Sequence, residues 1–156
     1  MGVMAGHGFD AISQPTVSAG AYSAGDIVGG LLTFNVGDGN NSVVLVTGVT
    51  VAVKAAVTSA LKLHLFSADP TSTTKTDNAA YSLNAADVFK FIDTLDLSTV
   101  TVNDHGTPNT YSANGLNVVC GTDRGTNAIY GLLIDGTGWT LTSTSDIQVR
   151  LRGLGA

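Results

Sequence analysis

The side chains able to do chemistry in this chain are few and far apart. Histidine occurs at positions 7, 64 and 105, the single cysteine is Cys120, and the acidic residues are 12 aspartates with no glutamate. There is no HExxH, no Cys/His cluster and no paired glutamate, so no local spacing announces a zinc site or a general acid–base pair. Neither a Walker A loop nor a GxGxxG turn occurs. The segment Ala21-Tyr22-Ser23-Ala24-Gly25 has the outline of a hydrolase nucleophile elbow. That elbow requires a helix after its turn, and the residues after this one have a strand pattern. Gly37-Asp38-Gly39-Asn40-Asn41 offers oxygens for calcium, but Gly39 interrupts the alternation of ligands and no glutamate closes the loop, so it reads as a turn. Cys120 lies in the apolar run LNVVC and reads as a buried thiol. The expectation is a chain with no catalytic residue, no metal ligand and no cofactor, and not an enzyme.

The elements that would have to position any such residues are strands. At 156 residues the chain is one ordinary domain, long enough to bury a core. Its Gly, Ser, Thr, Val and Asp bias, without glutamate, suits strands and turns rather than helices. A net charge of −5 with only seven basic residues excludes a nucleic-acid surface, which needs clustered Lys and Arg. No segment approaches the roughly 18 consecutive apolar residues of a membrane-spanning helix, and MGVMAGHGFD lacks the basic and apolar regions of a secretory signal. A soluble protein made in a cytoplasm is expected.

The stretch Ala128 to Arg152 organises the rest. Ile129 to Ile134 is apolar on both faces, the mark of a central strand covered twice. Asp135-Gly136 supplies a tight turn, and Trp139 and Leu141 alternate with Thr140 and Thr142 as its hairpin partner. Ile147, Val149 and Leu151 then alternate with Gln148, Arg150 and Arg152 in a half-buried final strand. Further strands are expected at 16–18, 26–36, 43–53, 60–66, 93–102 and 116–120, with bulges at Gly29-Gly30 and at Gly48. In the strand at 60–66, Leu61, Leu63 and Leu65 face inward, and His64 is a surface residue. Asn84 to Ile92 is the one helix, capped by Asn84, with Asp87 as a capping-box acid and Val88, Phe91 and Ile92 on one face. Residues 67–78 and 103–115 read as long loops, the first ordered by Asp and Thr side chains bonding to nearby backbone. Residues 1–13 read as a flexible N-terminal arm in which only Phe9 and Ile12 provide anchors. The fold class is all-β: a single β-sandwich or jelly-roll-like domain, residues 14–156, with one short helix and the arm.

Three blocks carry a resemblance. Tyr22 to Gly30 (YSAGDIVGG), residues 63–87 (LHLFSADPTSTTKTDNAAYSLNAAD) and residues 129–154 (IYGLLIDGTGWTLTSTSDIQVRLRGL) resemble a recurring small virion protein of tailed bacteriophages, of the capsid cement or decoration type. The resemblance covers most of the chain beyond residue 20. It implies a β-rich subunit, commonly a homotrimer, bound to the major capsid protein on the outer capsid surface of the virion after synthesis in the host bacterial cytoplasm. It offers no catalytic motif to carry over, and the charge balance and the lack of a long apolar run argue against nucleic acid and membrane as partners. Charged residues are only 12% of the chain, against about 25% on average, which fits a surface partly covered by protein.

Two contact sets are expected. The second apolar face of the central strand, Tyr130, Leu132 and Ile134, is expected at a subunit interface. Phe9 and Ile12 of the arm are expected at the capsid. The alternative from another class is a carbohydrate-binding or fibre-type module for host attachment; a sugar platform wants several exposed aromatics, and the one Trp, Trp139, occupies a strand position where burial is expected.

Overall fold

The computed structural model describes residues 7–37, 43–55, 59–99, 102–106, 108–122 and 125–155. Its strands are β1 (His7–Ser13), β2 (Gly20–Tyr22), β3 (Ile27–Asn35), β4 (Val43–Val53), β5 (Lys62–Phe66), β6 (Phe91–Asp96), β7 (Val102–Asp104), β8 (Asn109–Gly121), β9 (Ala128–Ile134), β10 (Trp139–Leu141) and β11 (Ile147–Gly155), with a 3₁₀ helix at Ala85–Lys90. A five-stranded antiparallel sheet in the order β1-β11-β4-β8-β7 packs on a four-stranded one in the order β3-β9-β5-β6, and β10 pairs with β2 beside them. The chain is a single all-β domain with sandwich-like layers.

Alternation builds the core. In β11, Ile147, Val149 and Leu151 are buried while Gln148, Arg150 and Arg152 face outward. In β4 the buried set is Val44, Val46, Val49, Val51 and Val53, and its phase is kept by a bulge at Thr47-Gly48 opposite β8. The facing sheet contributes Val28, Leu32 and Phe34 from β3, Leu63 and Leu65 from β5, and Ile129 and Leu133 from β9. Each such side chain, fully buried, contributes about 1.5–3 kcal/mol. The expected bulge at Gly29-Gly30 is also present, because the β3–β9 register slips between Val28 and Leu31. Gly29 has φ +79°, and a Cβ there would collide with the Pro15 ring, so only glycine fits.

The apolar second face of β9 is covered by the chain itself. Residues 67–90 leave β5, cross the outer face of the four-stranded sheet and return as β6. Under them Ile27, Phe66, Leu132 and Ile134 form a second buried cluster, flanked by half-buried Leu31, Tyr81, Leu83, Phe91 and Tyr130. The premise for an interface at Tyr130, Leu132 and Ile134, a face left bare by a single chain, is therefore corrected: this face leaves water without a second copy. His64 is corrected with it. It lies half-buried beneath this covering segment, stacked on Tyr81 with ring centroids 4.6 Å apart, and its Nδ1 is 3.0 Å from Thr94 Oγ1. Burial first, and then the charge of Lys62, lowers its pKa below the ordinary histidine value.

The covering segment is held by side-chain bonds to backbone, as the loop reading expected. Asn84 caps the helix by accepting from Ala86 N at 2.9 Å. Asp87 does not close a capping box. It turns inward to accept from Ser72 N at 2.8 Å and Thr73 N at 2.7 Å, and Lys90 Nζ meets its other oxygen at 2.8 Å. Because β6 begins at Phe91, only six helical residues fit, and the turn is 3₁₀ rather than α.

Four other expectations change. Residues His7–Ser13 are not an arm but strand β1, laddered to β11 from His7↔Gly155 to Ser13↔Val149. Phe9 and Ala11 turn inward while Asp10 and Ile12 turn outward, and Gly153 makes the room: a Cβ there would meet the Phe9 ring at 2.7 Å. The remaining arm positions lie outside the described residues, as do positions 38–41 of the turn weighed for calcium. Trp139–Leu141 pairs with β2, not with β9, whose two neighbours are β3 and β5. Much of the loop expected at 103–115 is strand: β8 starts at Asn109 and buries Asn109 and Tyr111 while Thr110 and Ser112 are half-covered. The strand expected at 93–102 is two, β6 and β7, and 16–18 is not a strand.

Candidate functional site

Because every strand pair is antiparallel, strand starts and ends gather at two poles of the sandwich, and the chemistry divides between them. One pole gathers the start of β3, β5, β8 and β11 and the end of β9. Three of the four aspartates buried among the described residues lie here, Asp26, Asp135 and Asp146, each less than a tenth exposed; the fourth, Asp87, lies in the helical turn that carries Phe89. Asp26 accepts from Ser23 N at 2.7 Å, Asp135 from Thr137 N and Gly138 N at 3.1 Å, and Asp146 from Thr142 N at 3.0 Å and Ser143 N at 2.8 Å. Ser59 Oγ also donates to Asp135, and Ser59 N donates to Tyr111 Oη at 2.8 Å, which ties the two sheets. Among the described residues seven aspartates, Asp26, Asp77, Asp87, Asp93, Asp96, Asp135 and Asp146, accept from backbone N–H. The short Asp side chain reaches a nearby backbone donor where Glu overshoots, which accounts for a chain acidic in Asp alone. These carboxylates are turn braces.

Among the described residues, two shallow cavities open at this pole. One of about 270 Å³ is lined by Ser59, Ala60, Leu97, Ser98, Val102, Tyr111 and Thr137. Another, of about 230 Å³, lies where β4 ends beside the starts of β8 and β11 and includes Gln14, Lys54, Asn109 and Gln148. No histidine or cysteine lines either cavity. Among the described residues no group of three or more His, Cys or Asp is placed to hold a metal ion. The three histidines are not brought together: His7 opens β1, His64 lies under the covering segment, and His105 follows β7 with Nε2 3.3 Å from Thr110 Oγ1. The Cys120 thiol is fully buried, and burial, with the charge of Asp93 adding to it, pushes it up to about 12, far from a nucleophile's range.

The opposite pole gathers the start of β4 and β6 and the end of β3, β8 and β11. The two sheets meet there: a Cβ on Gly155 would stand 3.6 Å from Val36 O, and the charge of Asp93 in β6 acts on Cys120 in β8. Five of the six large hydrophobic side chains exposed among the described residues lie at this pole: Val43, Val88, Phe89, Val119 and Leu154; the sixth is Ile12. Phe89 is 97% exposed and Val119 65%. Leu154, Leu45 and Val119 are direct cross-strand partners and form one row on the outer face of the five-stranded sheet, with Val43 in the next row. An antiparallel sheet with one solvated face normally presents polar residues there, as Thr50, Ser112, Asn114 and Arg150 do farther along. The apolar row departs from that pattern.

Phe89 is held out rather than left loose. Asp87, two positions before it, is anchored by the loop amides, and Lys90, just after it, by Asp87, Asp69 O and Thr71 Oγ1 at 2.8–3.3 Å. Lys90 first, then the Thr73 hydroxyl and the loop amides, overcome the effect of burial and hold the Asp87 carboxyl at about 2. Of the two residues expected at the capsid, Phe9 is partly buried against the main core, and Ile12 stands half-exposed on the outer face, away from the apolar pole. The residues that sequence reading missed are Phe89, Val88, Val43, Val119 and Leu154. Phe89 had a signal, being apolar yet off the face shared by Val88, Phe91 and Ile92. The others did not, since their exposure depends on what fails to cover them. No protein-family model and no curated protein matches the chain.

Proposed function

We propose that this chain is a virion structural protein of the capsid-decoration type, acting as a homotrimer on the outer surface of the shell and binding the major capsid protein, without enzymatic chemistry and without nucleic acid or membrane as partner. The observation that supports it is the division between the poles. The acids that might have done chemistry are engaged as turn braces, while uncovered apolar side chains gather at one end of a domain that otherwise covers its own apolar faces. Apolar patches of this kind mark surfaces that meet other proteins. The trimer comes from the resemblance of the three sequence blocks, since the face of β9 that called for a second copy is covered within the chain.

The competing role, glycan attachment, finds little to stand on in the aromatics. Trp139 is buried edge-on against Tyr22 at 6.5 Å, and among the described residues Phe89 is the one exposed aromatic side chain. The test is co-sedimentation with capsids of the tailed phage that encodes this chain, stripped of it beforehand, beside a glycan array. Saturable pelleting at a fixed ratio to shell subunits is expected. Glycan binding with no pelleting would overturn the proposal.

A further inference from the structure

We infer that the cavity of about 270 Å³ at the polar pole is a binding site for a primary alkylammonium group, carried by a small free amine or by a lysine side chain of a partner. The inference goes beyond the proposed role and does not depend on it.

A buried charge makes the cavity wall an acceptor surface. Asp135 is fully buried; its Oδ1 accepts from Thr137 N and Gly138 N at 3.1 Å and from Ser59 Oγ, while its Oδ2 is buried with no partner. Thr137 Oγ1 in turn donates to Ser59 Oγ at 3.1 Å. The carboxylate thus fixes the direction of a hydroxyl chain, in which Thr137 gives its hydrogen to Ser59 and Ser59 gives its own to Asp135. Both residues line the cavity, and with their hydrogens committed inward their oxygens keep only lone pairs for an occupant. Such a wall takes donors and refuses acceptors. The charge behind it is felt at the cavity: burial raises the Tyr111 phenol above its ordinary value, the Ser59 amide lowers it, and Asp135 raises it further.

No base within the chain answers that charge. Among the described residues no ion pair includes Asp135. The undescribed positions that adjoin the walls in sequence, 56–58 and 100–101, hold no charged residue. At the rim Asp96 accepts from Ser98 N at 2.8 Å and is offset by Lys62, its cross-strand partner. Asp135 remains as the net charge beside the cavity, and a buried charge without a paired base favours an occupant of opposite sign.

Shape selects the class of cation. Ala60, Leu97 and Val102 supply apolar wall for a short alkyl stem. A bare metal ion does not fit the chemistry, because Ca²⁺ takes about 6–8 oxygen ligands and no group of three or more acidic or imidazole side chains is gathered among the described residues. A guanidinium wants the coplanar oxygens of a carboxylate, and here the carboxylate lies behind the hydroxyls. The volume is below the roughly 300–1,000 Å³ of sites for drug-sized ligands, so one amine or one side chain is what it holds.

The experiment titrates butylammonium into isotopically labelled full-length protein at constant ionic strength and follows the amide resonances of Ser59, Ser98 and Thr137. Tetramethylammonium serves as a cation with no N–H to donate. Asp135→Asn removes the charge while keeping an acceptor for the turn amides, and Thr137→Val removes the outer hydroxyl at an exposed position. Thermal melting checks that each variant is folded; should Asp135→Asn not fold, Thr137→Val carries the test. Saturable shifts at millimolar butylammonium are expected, as befits so small a ligand, with binding at least tenfold weaker for tetramethylammonium and for each variant. Lysine blocked at both ends separates the sources: binding as tight as that of butylammonium assigns the site to a partner's side chain, and its exclusion assigns the site to a free amine. Absence of a saturable shift with butylammonium, or binding by the folded variants equal to wild type, overturns the inference.

Discussion

At one pole of the sandwich Asp26, Asp135 and Asp146 are buried and bonded to the amides of their own turns; at the other Val43, Phe89, Val119 and Leu154 stand in water. The two ends invert the usual placement of polar and apolar groups. The inversion is stable at the first because each inward carboxylate accepts backbone N–H groups on one oxygen, although Asp135 Oδ2 is buried without a partner, and a buried polar group costs less once hydrogen-bonded. It is tolerated at the second because a few exposed hydrophobes cost little to a domain whose core is complete. A polar interior braced by local bonds serves the fold, whereas an apolar exterior serves nothing within the chain. That difference directs attention to the second pole for function.

The contrast between the ends is tested most severely from the middle of the molecule, where neither pole's chemistry applies. Leu132 is fully buried beneath the covering segment, so Leu132→Asp places a carboxylate with no donor in an apolar layer. A loss of several kcal/mol, on the order of the whole margin of stability, is expected as loss of the folded circular-dichroism signal. A folded variant with reduced oligomer mass would instead return this face to the subunit interface.

The polar pole comes next. Asp135→Ala removes the acceptor shared by Ser59 Oγ, Thr137 N and Gly138 N and should cost about 2–3 kcal/mol in urea unfolding. A change below about 0.5 kcal/mol would show that this pole does not depend on those bonds.

Acid tests the brace behind Phe89. Since the Asp87 carboxyl is held at about 2 in the fold, its ionised form is the one the fold stabilises. That contribution is present above the ordinary value of 3.8 and is lost as pH falls through about 2. Protection of residues 67–90 from amide exchange should fall over this window, and Asp87→Asn should flatten the dependence. His64 acts in the same direction at higher pH. Its lowered value favours the neutral ring, so the stability it adds is present above 6.5 and declines as pH falls through the folded value.

The smallest effect belongs to the apolar pole. Phe89→Ser should change stability by no more than about 0.5 kcal/mol, because the ring contacts water rather than the core. A larger loss in thermal melts would show that the ring supports the fold and would erase the contrast between the ends.

Residue order alone determined what depends on neighbours one to four positions away. The inward sets of β5 and β11, the existence of β4, the bulges at Gly29-Gly30 and Gly48, the Asn84 cap and the burial of Cys120 and Trp139 were legible because side-chain alternation and capping are local. Even the two-sided burial of β9 was written in its apolar faces. Tertiary structure decided which surface answers each need. Nothing local shows that 67–90 cover β9, that Trp139–Leu141 pairs with β2, that the glycine-rich start completes the sheet as β1, or that the polar run at 109–115 belongs to a strand. The physical reason is that a ladder's hydrogen bonds are the same for any partner, so pairing is chosen by the packing of segments distant in sequence. The apolar pole is the extreme case: a Val in a strand reads alike whether covered or bare, and only the assembled layers show that Val119 is left bare.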